Sequence, residues 1–337
     1  MMNFKKRGYR MALIQVKKSI PSNLLKDRFI VPPFSILDSK QGYWRERVNM
    51  WKSIGIKSEL GRGDNLTFIT PMDEQKKTNY GKCNPESIGD KYGRKVQATS
   101  IFDPVLCEIA YKWFSREGDR VIDPFAGGSV RGIVASICGR HYTGIDLSKK
   151  QIDYNISQFE DICARYSNEL PPVKWINADS DVYTKEHREE NYNFLLTFPP
   201  YYDLEVYSDD PADISNLSTY DEFITIYRNI LTNCVKMLED DSFAVIVVGN
   251  IRNKTDSGYY DFVGDTIRIM QDAGAVYYNE LILVNVAGSL PVRAPIQFNS
   301  SRKIGKQHQN VLVFYRGNTK HIKDKFGSFE DTYVSKN

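Results

Sequence analysis

Residues 120–129 read RVIDPFAGGS. A short apolar strand ends in an acid and runs straight into a glycine turn. The next stretch, SVRGIVASICGR (129–140), carries a helical pattern, and HYTGIDLS (141–148) is a second strand that again closes on an acid. That strand–helix–strand unit repeats outward. QIDYNISQFEDICARY (151–166) reads as helix, VKWINADS (173–180) as a short strand, and NFLLTF (193–198) as a strand apolar on both faces. DEFITIYRNILTNCVKML (221–238) and DFVGDTIRIMQDAG (261–274) are helical and bracket the long apolar strand SFAVIVVG (242–249). Upstream, DPVLCEIAYKWFSRE (103–117) is a helix opened by Asp103 and Pro104.

Strands buried on both faces and separated by helices predict an α/β fold, a mostly parallel sheet covered on each side. The last two strands, VYYNELILVNV (276–286) and QNVLVFYRG (309–317), lack helices of their own, which predicts an antiparallel edge strand. Their connection, residues 287–308, is too long for a hairpin and reads as a functional loop without helical or core pattern. Three zones follow. Residues 1–96 form a basic, irregular N-terminal lobe that contacts a partner or packs on the core. Its clearest helix is QGYWRERVNMWKSIG (41–55), where Trp44 and Trp51, two turns apart, read as core. Residues 97–320 are the main domain, with a basic insertion at 288–308, and residues 321–337 are a polar, frayed tail.

The chain has 337 residues, a net charge of +3, and no long apolar run or secretory leader. Its five cysteines show no C-x-x-C pair, which speaks against a zinc knuckle or a disulfide framework and suits a reducing cytoplasm. The charge is uneven. Residues 1–62 hold 14 Lys and Arg against 4 Asp and Glu, and residues 285–325 hold 8 against 1. Basic ends around an acidic middle are the footprint of a polyanion binder.

Open α/β sheets bind ligands at the carboxyl ends of their strands. There Gly127 and Gly128 let backbone approach a ligand. Asp146 is placed to accept ribose hydroxyls, Asp179 to accept from an adenine amine, and Asp123 to sit near an ammonium group. Neither G-x-G-x-x-G nor G-x-x-x-x-G-K-[ST] is present, so a nucleoside cofactor without phosphates fits better than a dinucleotide or nucleoside triphosphate.

DPFAGGS (123–129) followed by TFPPYY (197–202) resembles motifs I and IV of the S-adenosylmethionine-dependent amino-methyltransferases of DNA. The resemblance spans about residues 97–317. It implies a Rossmann-like methyltransferase fold, S-adenosylmethionine as cofactor, no metal, and double-stranded DNA as partner. Pro124 and Phe125 join the cofactor site through motif I. Phe102 and Asp103 join it because ATSIFDPVLCEI (98–109) resembles the segment contacting the cofactor's methionine part. Residues 27–62 and 298–317 further resemble methylases of phages and prophages, which places the chain in a bacterial cytoplasm, with restriction–modification as one setting. Neither a partner nuclease nor a homodimer is readable.

The resemblance makes Phe198, Pro199, Pro200 and Tyr201 the catalytic turn. An amine on an aromatic base has a delocalised lone pair, and hydrogen-bond acceptors at its hydrogens pull the nitrogen towards a reactive geometry. Consecutive prolines have fixed φ and no N–H, so the carbonyl between them is held rigidly. Tyr201 stacks on a base flipped from the duplex, while Tyr202 stands displayed beside it. The chain departs from the family at Phe198, where Asp, Asn or Ser is usual. Either backbone carbonyls suffice, helped by Thr197 or Asp203, or the target base differs, or the enzyme is slow or inactive. Adenine N6 is favoured over cytosine N4. A C5 methylase is unlike this chain, since no Cys follows a Pro. RNA or guanine-amine methylation is the enzymatic alternative, and a weakly catalytic nucleic-acid-binding module the alternative of another class. Arg293, Arg302, Lys303, Lys306 and His308, in an insertion without acids, are the expected nucleic-acid contacts.

Overall fold

The computed structural model describes residues 25–56, 102–166, 169–202 and 212–329. The apolar runs read from the sequence become strands β2 (Arg120–Asp123), β3 (His141–Asp146), β4 (Val173–Asn177), β5 (Tyr192–Thr197), β6 (Leu238–Val248), β9 (Val276–Val284) and β10 (His308–Arg316). With β1 (Ile36–Asp38) they form one eight-stranded sheet in the order β1-β9-β10-β6-β5-β2-β3-β4. A small β7–β8 ribbon (Ile251–Arg252 and Tyr259–Tyr260) stands apart. Only β10 runs against its neighbours, pairing antiparallel with both β6 and β9. The fold is α/β, mostly parallel and Rossmann-like, as the alternation predicts.

The antiparallel strand lies two places in from the edge. Val311 to Tyr315 are each at most 2% exposed, so β10 is apolar on both faces and needs a neighbour on each side. β9 flanks it, and the edge falls to β1, whose Ile36 pairs with Ile282.

Helices α3 (Pro104–Phe114), α4 (Val130–Ile137), α5 (Lys149–Cys163), α6 (Ser180–Glu186), α7 (Tyr220–Met237) and α8 (Phe262–Asp272) cover the sheet. Their caps follow from sequence: Asp103, Ser148, Asp179 and Asp261 each accept a backbone N–H, and Thr219 with Glu222 closes a full capping box on α7. α6 has no counterpart in the sequence reading, because seven residues are too few to show a period.

Upstream, α1 (Leu25–Phe29) and α2 (Gly42–Ser53) flank β1. α2 docks on α3 through buried polar contacts. Trp44 Nε1 donates to Asp103 Oδ2 (2.7 Å), Trp51 Nε1 to Glu108 Oε2 (2.9 Å), and Arg47 pairs with the same Glu108. Both tryptophans are core residues. Residues 25–56 therefore pack on the main body; the rest of 1–96 lies outside the described residues.

Two expectations are corrected. The 287–308 connection contains a helix, α9 (Leu290–Ser301), ended by Arg302 in the left-handed region at φ 58°. Pro291 occupies its first turn, where a missing N–H is harmless. The tail is not frayed up to residue 329. After a 3-10 turn (Thr319–His321), α10 (Ile322–Phe326) brings Ile322, Phe326 and Phe329 against the core, and Phe329 stacks on Phe29 at 5.6 Å. Among the described residues no helix is long and apolar enough to cross a membrane.

Candidate active site

Strand order reverses between β2 and β5: β2 leads to β3 on one side, and β5 to β6 on the other. The carboxyl ends of these strands open into a cavity of about 1200 Å³. That exceeds the usual range of single-ligand pockets, about 300–1,000 Å³.

The glycine turn forms one wall. Gly127 has φ +50°, and a Cβ placed there would meet nothing within 4 Å, so it points into open cavity rather than protein. Asp146, at the end of β3, organises this turn. Its Oδ2 accepts from Gly127 N and its Oδ1 from Ser148 N, both at 2.8 Å, which leaves each oxygen a further acceptor position towards the cavity. Burial raises its carboxyl above the ordinary value of 3.8. Asp179 caps α6 by accepting from Asp181 N (2.8 Å) and also lines the cavity. Asp103 accepts from Val105 N (2.8 Å) as well as from Trp44, and burial again raises its carboxyl.

Asp123 is elsewhere. Its carboxylate is 0% exposed and points into the core, not towards an ammonium group. Arg131 Nε donates to Oδ2 (2.5 Å), Tyr142 Oη to the same oxygen (2.7 Å), and Thr197 Oγ1 to Oδ1 (2.7 Å). Four donors, counting Phe125 N (3.1 Å), fill its acceptor positions. Arg131 also donates through Nη2 to Phe125 O (2.5 Å) and Ala126 O (2.8 Å), and its guanidinium lies 4.7 Å from the Phe102 ring centroid. Burial opposes the Arg131 charge, but Asp123 beside it more than compensates and holds the group above its ordinary range. The pair fixes the glycine turn from behind. Arg131 was missed in the sequence; the signal was one arginine inside the otherwise apolar helix VRGIVASI.

The Pro-Pro-Tyr turn forms the opposite wall. Phe198 packs edge-on to Phe102 (5.6 Å, 72°) and to Tyr201 (5.7 Å, 83°). Tyr201 is braced by Phe262 behind it (6.1 Å) and faces the cavity, with Gln309 Nε2 donating to its hydroxyl at 3.5 Å. Pro200 lines the cavity and Pro199 is buried beneath. Tyr202 is not displayed. It is 8% exposed, donates to Ser218 O (3.0 Å), and packs among Tyr220, Phe223 and Tyr260. Thr197 is fully buried and committed to Asp123, so it is no acceptor for a ligand; Asp203 lies outside the described residues.

The third wall is the basic connection. Arg293, Lys303, Lys306 and His308 reach the cavity, whereas Arg302 stays outside, its guanidinium 5.2 Å from the Phe298 ring centroid. Asn250 and Arg252, just beyond β6, complete this wall. They were missed in the sequence, although a Gly-Asn turn directly after an apolar strand marks a strand's carboxyl end. The cavity is thus acidic along β3 and β4, aromatic and prolyl at the centre, and basic along the β9–β10 connection.

No protein-family model matches the chain. Over 68 residues it is 37% identical to the type II methyltransferase M.HinfI of Haemophilus influenzae, a stretch equal to 20% of this chain and 19% of that protein. The chain thus spans about a fifth of that relative's length. Its fold is similar to that of TrmN from Thermus thermophilus (13% identity, 63% of this chain, 48% of that one, TM-score 0.41). It is similar too to a SAM-dependent methyltransferase from Agrobacterium tumefaciens (17% identity, 64% and 61%, TM-score 0.41). A third is magnesium protoporphyrin IX methyltransferase from Synechocystis PCC 6803, solved with bound SAM (11% identity, 60% and 71%, TM-score 0.38). The sequence likeness to a methyltransferase is confined to the short stretch shared with M.HinfI.

Proposed function

We propose that this protein is a methyltransferase that uses S-adenosylmethionine to methylate an exocyclic amine, adenine N6 or cytosine N4, of a base extruded from DNA. The observation that carries the reading is one cavity holding both the glycine turn of β2 and the Pro-Pro-Tyr turn of β5. Its volume, about 1200 Å³, accommodates a nucleoside cofactor and an extruded nucleotide together.

The residues fit the cofactor. The open space over Gly127 admits close backbone approach, and the free acceptor positions of Asp146 suit two ribose hydroxyls. Asp179 suits the adenine amine, and Phe102 with Asp103 the methionine part. When bound, S-adenosylmethionine supplies an electrophilic methyl carried on a positively charged sulfur. The chain's own residues do the rest. The Phe198 and Pro199 carbonyls accept the hydrogens of the target amine, held in place because neither proline can rotate φ. Tyr201, fixed between Phe198 and Phe262, gives the base a face to stack on. The Phe102–Phe198–Tyr201 aromatic series keeps the transfer point apolar. The basic wall takes the nucleic-acid backbone, since residues 285–316 contain no Asp or Glu.

The test is transfer from methyl-labelled S-adenosylmethionine to unmethylated duplex DNA, followed by digestion and nucleoside analysis. Label in N6-methyldeoxyadenosine or N4-methyldeoxycytidine supports the reading. Label in RNA alone, or cofactor binding without transfer to any nucleic acid, overturns it.

A further inference from the structure

Helix α9 is inside out relative to the body of the protein. Leu290, Arg293 and Gln297, at helical spacing, line the cavity, while Val292 and Ile296 on the other face are 63% and 62% exposed. One residue on the inward face is anomalous. Three of the connection's four lysines and arginines rest on protein acceptors: Arg302 Nη1 on Phe298 O (3.4 Å), Lys303 Nζ on Ser257 Oγ (2.8 Å), and Lys306 Nζ on Asn250 O (3.1 Å). Arg293 does not. Its Nε is closed off from solvent and has no hydrogen-bond partner. The side chain as a whole is half-buried on the cavity wall, and a guanidinium is always charged and carries five donors, so its terminal nitrogens, which no protein acceptor takes up, are the ones placed to meet an anion in the cavity.

We propose that Arg293 is an anion clamp inside the cavity, and that the anion is a backbone phosphate of the nucleotide whose base enters the Pro-Pro-Tyr turn. This rests on the proposed function and adds the subsite that holds the substrate's backbone. Position decides between the two anions that could reach the cavity, a nucleic-acid phosphate and the cofactor's carboxylate. Arg293 lies in the connection entering β10, and Asp146 ends β3. The sheet order puts four strand spacings between these strands, roughly 19 Å at about 4.8 Å each. β5 and its Pro-Pro-Tyr turn stand between them, so an anion at Arg293 is on the base's side of the transfer point. Geometry favours phosphate as well, because the guanidinium fork matches two of its oxygens at once.

The full chain is tested by two measurements on wild type, Arg293→Ala and Arg293→Lys. Duplex DNA binding is followed by fluorescence anisotropy in the presence of S-adenosylhomocysteine between 50 and 200 mM salt, and methyl transfer is followed in parallel. Arg293→Ala is expected to weaken DNA binding at least tenfold at low salt. Its plot of log affinity against log salt should become shallower by about 0.9, one phosphate contact. Arg293→Lys should keep the wild-type slope while remaining weaker than wild type. The thermal midpoint should not fall, because Arg293 supports no protein acceptor. An unchanged DNA slope in Arg293→Ala overturns the clamp. A weakened affinity for S-adenosylhomocysteine with DNA binding intact assigns Arg293 to the cofactor's carboxylate and also overturns it. Wild-type binding to DNA with the expected slope change, but without transfer to DNA, sinks the proposed activity and leaves the clamp standing.

Discussion

Replacing Arg131 with Met should strip the glycine turn of its anchor and leave a charge buried alone. The two side chains are 5% and 0% exposed, with Nε 2.5 Å from Asp123 Oδ2, so solvent does not screen the pair. Removing one partner of such a pair costs about 3–5 kcal/mol, because the remaining charge stays desolvated. Tyr142, Thr197 and Phe125 N still donate to Asp123, which argues for the lower half of that range. For a domain of this size each kcal/mol shifts the midpoint by about 2–4 °C, so a cost of about 3–4 kcal/mol should make Arg131→Met melt roughly 6–16 °C below wild type. The same substitution frees the Phe125 and Ala126 carbonyls. Calorimetric binding of S-adenosylmethionine, below the new midpoint, should therefore be weaker as well. The double variant Asp123→Asn/Arg131→Met removes both charges and should be more stable than the sum of the single effects by about 0.5–3 kcal/mol. A midpoint drop under about 2 °C for Arg131→Met, or strict additivity in the double variant, would refute the argument that this buried pair holds the turn.

Three further outcomes are expected. On the proposed reading Asp146 accepts ribose hydroxyls best as a carboxylate, and burial raises its carboxyl above 3.8. Cofactor affinity should thus start to fall above the ordinary carboxylate range as pH is lowered from 7, and Asp146→Asn should bind weakly with no such acid limb; an identical limb in that variant would exonerate Asp146. Tyr201→Ala should lower transfer at least tenfold, about 1.4 kcal/mol or more, and leave calorimetric cofactor binding near wild type, whereas a collapse of cofactor binding would mark the turn as structural. Trp44→Phe removes the 2.7 Å donor to the half-buried Asp103 carboxylate and should cost about 1.5–3 kcal/mol in denaturant unfolding. No measurable loss would mean that α2 is held by Trp51 and Arg47 alone.

The parts of this molecule that were legible in its sequence are those where burial dictates pattern. β5 and β6 are apolar on both faces because helices cover both, and the Gly-Gly turn is where a close-approaching backbone must be. The orientation of an acid at a strand end is not a pattern. Asp123 and Asp146 occupy equivalent places in their strands, yet Asp123 faces a buried arginine eight residues on and Asp146 faces the cavity. Helix α9 escaped for a related reason. Its inward face meets a polar cavity, so the usual apolar stripe is replaced by Arg293 and Gln297, and two prolines read as loop. β1 has three residues and needs β9 to exist as a strand, and α10 is held by Phe326 packing on Phe243 of β6 at 5.2 Å, a contact 83 residues apart in sequence.

Phe198 is where this chain departs from the motif it otherwise resembles, and its packing says what it does. The ring packs edge-on against Phe102 on one side and Tyr201 on the other. Such contacts contribute about 0.5–1.5 kcal/mol each beyond burial, so Phe198 is a wall joining the two halves of the cavity rather than a gap where an acceptor is missing. The neighbouring polar side chain, Thr197, is 0% exposed and turned inward, its hydroxyl donating to Asp123 at 2.7 Å, so burial leaves backbone carbonyls as the acceptors at the described part of this turn. If those carbonyls suffice, Phe198→Asn should not raise the transfer rate. It should lower it, since the amide sits between two rings and loosens Tyr201, and Phe198→Leu, apolar but without the edge contacts, should fall between Asn and wild type. A rise in kcat for Phe198→Asn with cofactor affinity unchanged would overturn this, because it would mean that a side-chain acceptor limits the reaction and that the aromatic wall serves a different target base.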